Sequence, residues 1–110
     1  MAKRSERGDL VFAALADPTR RAMIERLASG PASVTQLAEP FGIALPTATR
    51  HLGVLDDAGL ITSTKHGRVR MCRLNHAALD EAAEWIETHR RRWTTRLDAL
   101  ENRIAEGTPE

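Results

Sequence analysis

The chain has 110 residues, 42% hydrophobic and 28% charged, enough for one domain with a single modest core. One cysteine, Cys72, excludes a disulfide framework within the chain and a zinc site made of cysteines alone. No apolar run approaches the ~20 residues that span a bilayer. The start MAKRSERGDLVFAALADPTRR is broken by Asp17-Pro18 and does not read as a signal peptide, so a cytoplasmic location and no membrane partner are expected.

Net charge is only +1, but its distribution is uneven. Residues 1–60 are balanced, residues 61–76 carry +4 from Lys65, Arg68, Arg70 and Arg73 without an acid, and residues 77–110 carry −3. The positive field therefore sits on a short stretch that could meet a phosphate backbone. On charge alone a solvated basic loop is an equal reading.

In chain order, Asp9 to Ala16 predicts a short apolar helix containing Leu10, Phe12, Ala13 and Ala14. Asp17 is an N-cap and Pro18 a first helical residue for a second helix running to about Ser29. Met23, Ile24, Leu27 and Ala28 form its inner stripe, and Arg21 and Glu25 are spaced to pair weakly. Arg20 and Arg21 suit salt bridges within the protein at least as well as phosphates. Gly30-Pro31 ends that helix.

Ser33 and Gln36 have the spacing of a capping box. They open a third helix limited to about two turns by Pro40, with Gly42 in the turn that follows. A fourth helix is expected from Leu45 to Ala58. Ala48, Leu52 and Leu55 lie on its inner side, Thr47, Arg50 and Val54 opposite, and Thr49 and His51 on the flanks. Its start lacks a good polar cap, which Pro46 partly offsets by fixing φ.

Ile61–Lys65 and Arg68–Leu74 predict two strands, with His66-Gly67 as the tip between them. Val69 and Met71 face one way, Cys72 and Leu74 the other, so partial burial on both faces is expected. Asn75 caps the longest helix, about 76–106. Leu79, Ile86, Trp93 and Leu100 recur every seven residues, as do Ala83, Arg90, Leu97 and Ile104 on the neighbouring row. The seam is too long for the preceding residues to cover, so it requires a partner. Residues 1–6 and 107–110 are expected to fray.

The predicted fold is mostly α with a small β-hairpin (α+β), in the order α-α-α-α-β-β-α. It is a single winged helix-turn-helix domain over 1–110, with the helix-turn-helix at 33–58, the wing at 61–74 and the long helix at 76–106. Two helices joined by a tight turn, the second led by small polar and cationic residues, suit insertion into a DNA groove. Thr47 and Thr49 can reach bases or phosphates, and Arg50 can donate two parallel bonds to a guanine edge. For His51, a packed, hydrogen-bonded ring and a DNA contact are equally open. Lys65, Arg68 and Arg70 on a hairpin suit phosphate or minor-groove contact.

The stretches ALADPTRRAMIERL, LAEPFGIALPTATRHLGVLDDAGLI and GRVRMCRLNHAAL together resemble the ArsR-type family of winged-helix bacterial repressors. The likeness covers about residues 10–100. It is greatest to the branch with a Leu-Pro dipeptide entering the recognition helix and tryptophans in the last helix. The resemblance implies a homodimer built from the first and last helices, with recognition helices in successive major grooves of an inverted repeat, repressing nearby transcription. It makes Leu45, Pro46, Thr47, Thr49, Arg50 and His51 the candidate recognition residues. Leu10, Val11, Leu79, Trp85, Ile86, Trp93, Leu97 and Leu100 become the candidate dimer interface.

The sequence departs from the family's metal sensors. SVTQLAEPF has no cysteine pair, and Asp80, Glu84 and His89 lack the Asp-x-His start of the other common site. The expected partners are thus double-stranded DNA and a second copy, with no cofactor and no metal, and the sequence does not say whether a small-molecule effector exists. Two alternatives stay open: a metal-responsive repressor using Asp80, Glu84, His89 or His76 at the dimer interface, and a protein-interaction module without DNA. Cys72 is expected to be a buried, inert thiol. Trp85 and Trp93 suit dimer packing better than a ligand pocket. No nucleophile–base pair is apparent, so no enzyme activity is expected.

Overall fold

A computed structural model of the chain describes residues 2–107, with side-chain surroundings from residue 8 onward. Five helices and three strands follow one another: α1 Ala2–Leu15, α2 Pro18–Ala28, β1 Ala32–Ser33, α3 Val34–Ala38, α4 Leu45–Asp57, β2 Ile61–His66, β3 Val69–Leu74 and α5 His76–Gly107. The structure is the winged helix-turn-helix expected, with one strand more than expected.

Helix α1 begins at Ala2, not Asp9. The sequence ahead of Asp9 has no apolar periodicity to register, yet Lys, Arg and Glu are good helix formers and suit the extension. Asp17 caps α2, its Oδ2 accepting from the Arg20 N–H at 3.0 Å. That bond, foremost, holds the Asp17 carboxyl below the usual aspartate range. The expected Arg21–Glu25 pair is replaced by a bond from Arg21 Nη1 to the Leu15 carbonyl at 2.8 Å.

Ser33 makes the capping box foreseen for α3. Its Oγ accepts from the Gln36 N–H at 3.1 Å, and the Ser33 N–H donates to Gln36 Oε1 at 2.8 Å. The helix is shorter than two turns and tightens into a 3-10 turn at Glu39–Phe41, where Pro40 removes a backbone donor. Gly42 then takes φ +60°, a left-handed conformation open to glycine, and turns the chain toward α4.

The unforeseen strand β1 pairs antiparallel with β3 through Ala32↔Cys72 and Ser33↔Met71, giving the sheet order β1-β3-β2. Two residues are too few to show alternation, so only tertiary pairing defines them. In the β2–β3 hairpin His66 pairs with Val69, which puts the tip at Gly67-Arg68, one residue later than expected. Gly67 at φ +63° supplies the turn. The expected burial on both faces of β3 is partial: Cys72 is buried, Met71 and Leu74 half-buried, and Val69 exposed.

The described residues up to Leu79 form one compact unit. Its core comprises Val11, Ala14, Met23, Ile24, Leu27, Leu37, Leu52, Leu55, Leu60, Ile61 and Cys72 with smaller alanines. Cys72 is a free, buried cysteine, and that burial pushes its thiol up. Asn75 ties the turn between α4 and β2 to the start of α5: its Nδ2 donates to the Gly59 carbonyl at 2.7 Å, its N–H donates to the Leu60 carbonyl at 2.8 Å, and its Oδ1 accepts from the Ala77 N–H at 3.3 Å.

From Asp80 onward α5 forms a second unit. None of its described side chains is buried. Trp85, Ile86, Trp93, Leu97, Leu100 and Ile104 are each at least half exposed. The helix continues through Gly107, and residues 108–110 lie outside the described residues. Among the described residues no helix is long and apolar enough to cross a membrane.

Candidate nucleic-acid interface

Helix α4 owes its position to Ala48, Leu52 and Leu55, all buried and spaced to lie on one side. That seating turns Leu45, Pro46, Thr49 and Arg50 outward, where all four are exposed. Thr47 is half-buried at the edge of the inner face. Ala44 precedes the helix in extended conformation and offers no side-chain cap. By helical geometry the first-turn amides of Leu45 and Thr47 have no partner within the helix, and Pro46 contributes none. Such amides and the helix dipole favour an anion at this end. Leu45, 51% exposed, adds an apolar group that can pack on a thymine methyl.

The wing projects Lys65, Arg68 and Arg70 from its outer half, and all three are exposed. Arg70 Nη1 donates to Ser63 Oγ at 3.0 Å, which orients its guanidinium across the strand pair. With Arg73 also exposed and no acid in β2 or β3, the hairpin is uniformly cationic. It can neutralise phosphates without a competing internal carboxylate.

His51 is placed differently from the other five residues expected on α4. Its Nδ1 lies 3.3 Å from Arg20 Nη1 and 3.9 Å from Asp17 Oδ2. Arg20 Nε also donates to the Ala14 carbonyl at 2.7 Å, and Nη2 to the Ala13 carbonyl at 3.2 Å. Arg20 is therefore committed to closing the end of α1 and touching α4. Its role was not legible in the sequence, because no local spacing signals a pairing across 31 positions.

Of the residues expected at a dimer interface, Leu10 is 47% exposed and Val11 only 4%. Val11 is spent in the core of its own chain, since adjacent helical residues point about 100° apart. Leu79 is half-buried. Trp85, Ile86, Trp93, Leu97 and Leu100 remain exposed.

On α5 the residues considered for a metal are dispersed among other contacts. His89 Nδ1 donates to the Trp85 carbonyl at 2.8 Å, and its ring stacks on Trp85 with centroids 3.9 Å apart. Asp80 and Glu84 are exposed. Among the described residues, no three His, Cys, Asp or Glu side chains are grouped to hold a metal ion. Glu87 takes two bonds from Arg90, at 2.6 and 2.9 Å, and one from Arg91 at 3.4 Å. The Arg90 bonds foremost bring the Glu87 carboxyl down to about 2.

Residues 15–64, from the end of α1 to the middle of β2, match the family model described as a helix-turn-helix domain. Over 76 residues the chain is 33% identical to the transcriptional repressor SdpR of Bacillus subtilis, covering 69% of this chain and 84% of that protein. A solved ArsR family transcriptional regulator is 41% identical, with a TM-score of 0.77 over 82% of this chain and 93% of its own. The chain belongs to the ArsR family of transcriptional regulators. A second solved member, an ArsR-like regulator from Rhodococcus sp. RHA1, is 31% identical with a TM-score of 0.79, covering 96% of this chain and 99% of that one. ArsR-family membership makes this a DNA-binding regulator with a winged helix-turn-helix domain, from a family of transcription regulators and not of enzymes.

Proposed function

We propose that this ArsR-family chain acts as a homodimeric repressor that binds an inverted-repeat operator. Helix α4 enters the major groove, and the wing lies on the flanking backbone or minor groove. The observation that carries this is the start of α4, where Leu45, Pro46, Thr49 and Arg50 are exposed together at a helix end without a side-chain cap. In this reading Thr49 and Arg50 contact base edges, Thr47 and the first-turn amides a phosphate, and Leu45 a thymine methyl. Lys65, Arg68 and Arg70 supply affinity without sequence information.

One α4 spans few base pairs, so two copies in successive grooves are needed for specificity. The exposed seam of Ile86, Trp93, Leu97 and Leu100 is apolar enough to join them. Leu10, exposed on α1, is a second candidate contact for the dimer, while Val11 is buried in the core.

Selection of bound DNA from a random pool, using the full chain, tests the reading. The expected product is a palindrome with half-sites about one helical turn apart. Arg50→Ala should then relax base preference at one position per half-site and cost about 1–3 kcal/mol. Arg68→Ala should weaken all sequences alike and lower the salt slope by about one for each wing. A pool that yields no sequence, or variants with unchanged affinity and salt dependence, rejects it.

A further inference from the structure

We infer that Arg20 and His51 form a positioning pair that sets the rotation of α4, so that His51 acts through Arg20 and not by reading DNA itself. This rests on α4 being the DNA-reading helix, as proposed above. The apolar contacts of Ala48, Leu52 and Leu55 hold α4 against the core but are non-directional. A helix seated only on them can roll by several degrees at small cost. A directional bond at its flank removes that freedom.

The structure supplies one such bond, and it is tied to a rigid anchor. Arg20 Nη1 meets His51 Nδ1 at 3.3 Å, while Nε and Nη2 of the same guanidinium hold the Ala14 and Ala13 carbonyls at the end of α1. The Arg20 backbone N–H is in turn held by Asp17 Oδ2, which caps α2. A single planar group thus connects three helices. Thr47 lies one turn before His51 and Arg50 immediately precedes it, so the orientation of His51 sets where both project.

The chemistry also fixes the ring's protonation pattern. A guanidinium only donates, so Nδ1 must accept and the imidazole proton resides on Nε2. Asp17 Oδ2, 3.9 Å from Nδ1, is too far for a hydrogen bond and leaves that role to Arg20.

Nitrogen-15 NMR of the free, full-length protein above neutral pH tests the ring directly. The expected signature is an unprotonated Nδ1 and a protonated Nε2 for His51. A proton on Nδ1 overturns the pairing. This measurement needs neither DNA nor a substitution, so it stands even if α4 proves not to read DNA, whereas failure of Arg50→Ala to affect selected-site binding would sink only the DNA reading.

Affinity for the selected site against random-sequence DNA then tests the positioning role. His51→Leu removes the acceptor and Arg20→Lys removes the fork. Each should bind the selected site about tenfold more weakly, the scale of one charge-assisted hydrogen bond. Non-specific binding should be unchanged, which separates positioning from a general loss of folded protein. The double variant should be no weaker than either single one. His51→Asn, whose Oδ1 falls near the Nδ1 position, should recover to within about twofold of the parent chain. If Arg20→Lys binds normally while His51→Asn is as weak as His51→Leu, the ring contacts DNA itself and the inference is wrong. Thermal melting of each variant shows which are folded at the assay temperature, and the tautomer decides the case for any that are not.

Discussion

Residues 8–79 and residues 80–107 use the same kinds of apolar residue with opposite results. In the first, leucines at helical spacing disappear inside: Leu27, Leu37, Leu55 and Leu60 are at most 3% exposed. In the second, Leu97, Leu100 and Ile104 recur with equal regularity and remain 51–61% exposed. Periodicity therefore identifies a face without identifying what covers it. The long helix is held meanwhile by local contacts such as the Glu87–Arg90 pair and the cation of Arg96, 6.0 Å above the Trp93 ring. Contacts of that kind contribute tenths of a kcal/mol each, far less than burial of the exposed seam against a second copy would.

The sharpest way to break the contrast is to charge the seam. The double substitution Leu97→Lys, Leu100→Lys should convert the proposed dimer to monomer by sedimentation and weaken binding to the selected site by about a hundredfold or more, since each half-site is then held alone. A chain that stays dimeric would show that the seam is not the interface. A buried leucine should respond in another way. Leu55→Ala should destabilise the fold by about 2–5 kcal/mol, seen as a lower denaturant midpoint, with no preference for dimer over monomer.

The smallest effect is expected on the surface of α5. The Glu87 carboxyl lies below its ordinary value of 4.5, at about 2, foremost because Arg90 donates to its charged form. A depressed carboxylate stabilises above its unfolded value and loses that contribution as pH falls through its folded one. The difference in helicity between the parent chain and Glu87→Gln should therefore be present at neutral pH and vanish between about 4.5 and about 2. Its size should be slight, because the pair is solvated. A difference that persists unchanged in acid would show that the ion pair is not its source.

The same contrast separates what local sequence could reveal from what it could not. Asp17, Ser33 and Asn75 were legible as caps because each places a short polar side chain within reach of an amide two or three residues on. Pro40, Gly42 and the hairpin glycine were legible because their backbone restrictions are local. Arg50 could be assigned to the outer side of α4 from spacing alone, whereas Thr47, expected there too, is half-buried beside Ala48, and Thr49, expected on a flank, is exposed.

Contacts between distant residues were not legible. The strand β1 exists because Ala32 and Ser33 meet Cys72 and Met71 some forty positions away. The hairpin tip moved by one residue because register is set by which side chains the sheet buries. Val11 and Leu10 looked alike as interface residues until the packing of α1 took one and left the other. His51 could be read as a groove contact or a packed ring, and its approach to Arg20 Nη1 at 3.3 Å joins residues too far apart in sequence for either reading to show it. By itself the sequence determined the order of the helices and the hairpin, the caps at Asp17, Ser33 and Asn75 and the sign of the wing's charge, since these follow from local sterics, capping and composition. The tertiary structure decided the third strand, the surfaces left exposed and the bond between Arg20 and His51, because each depends on groups that meet only when the chain folds.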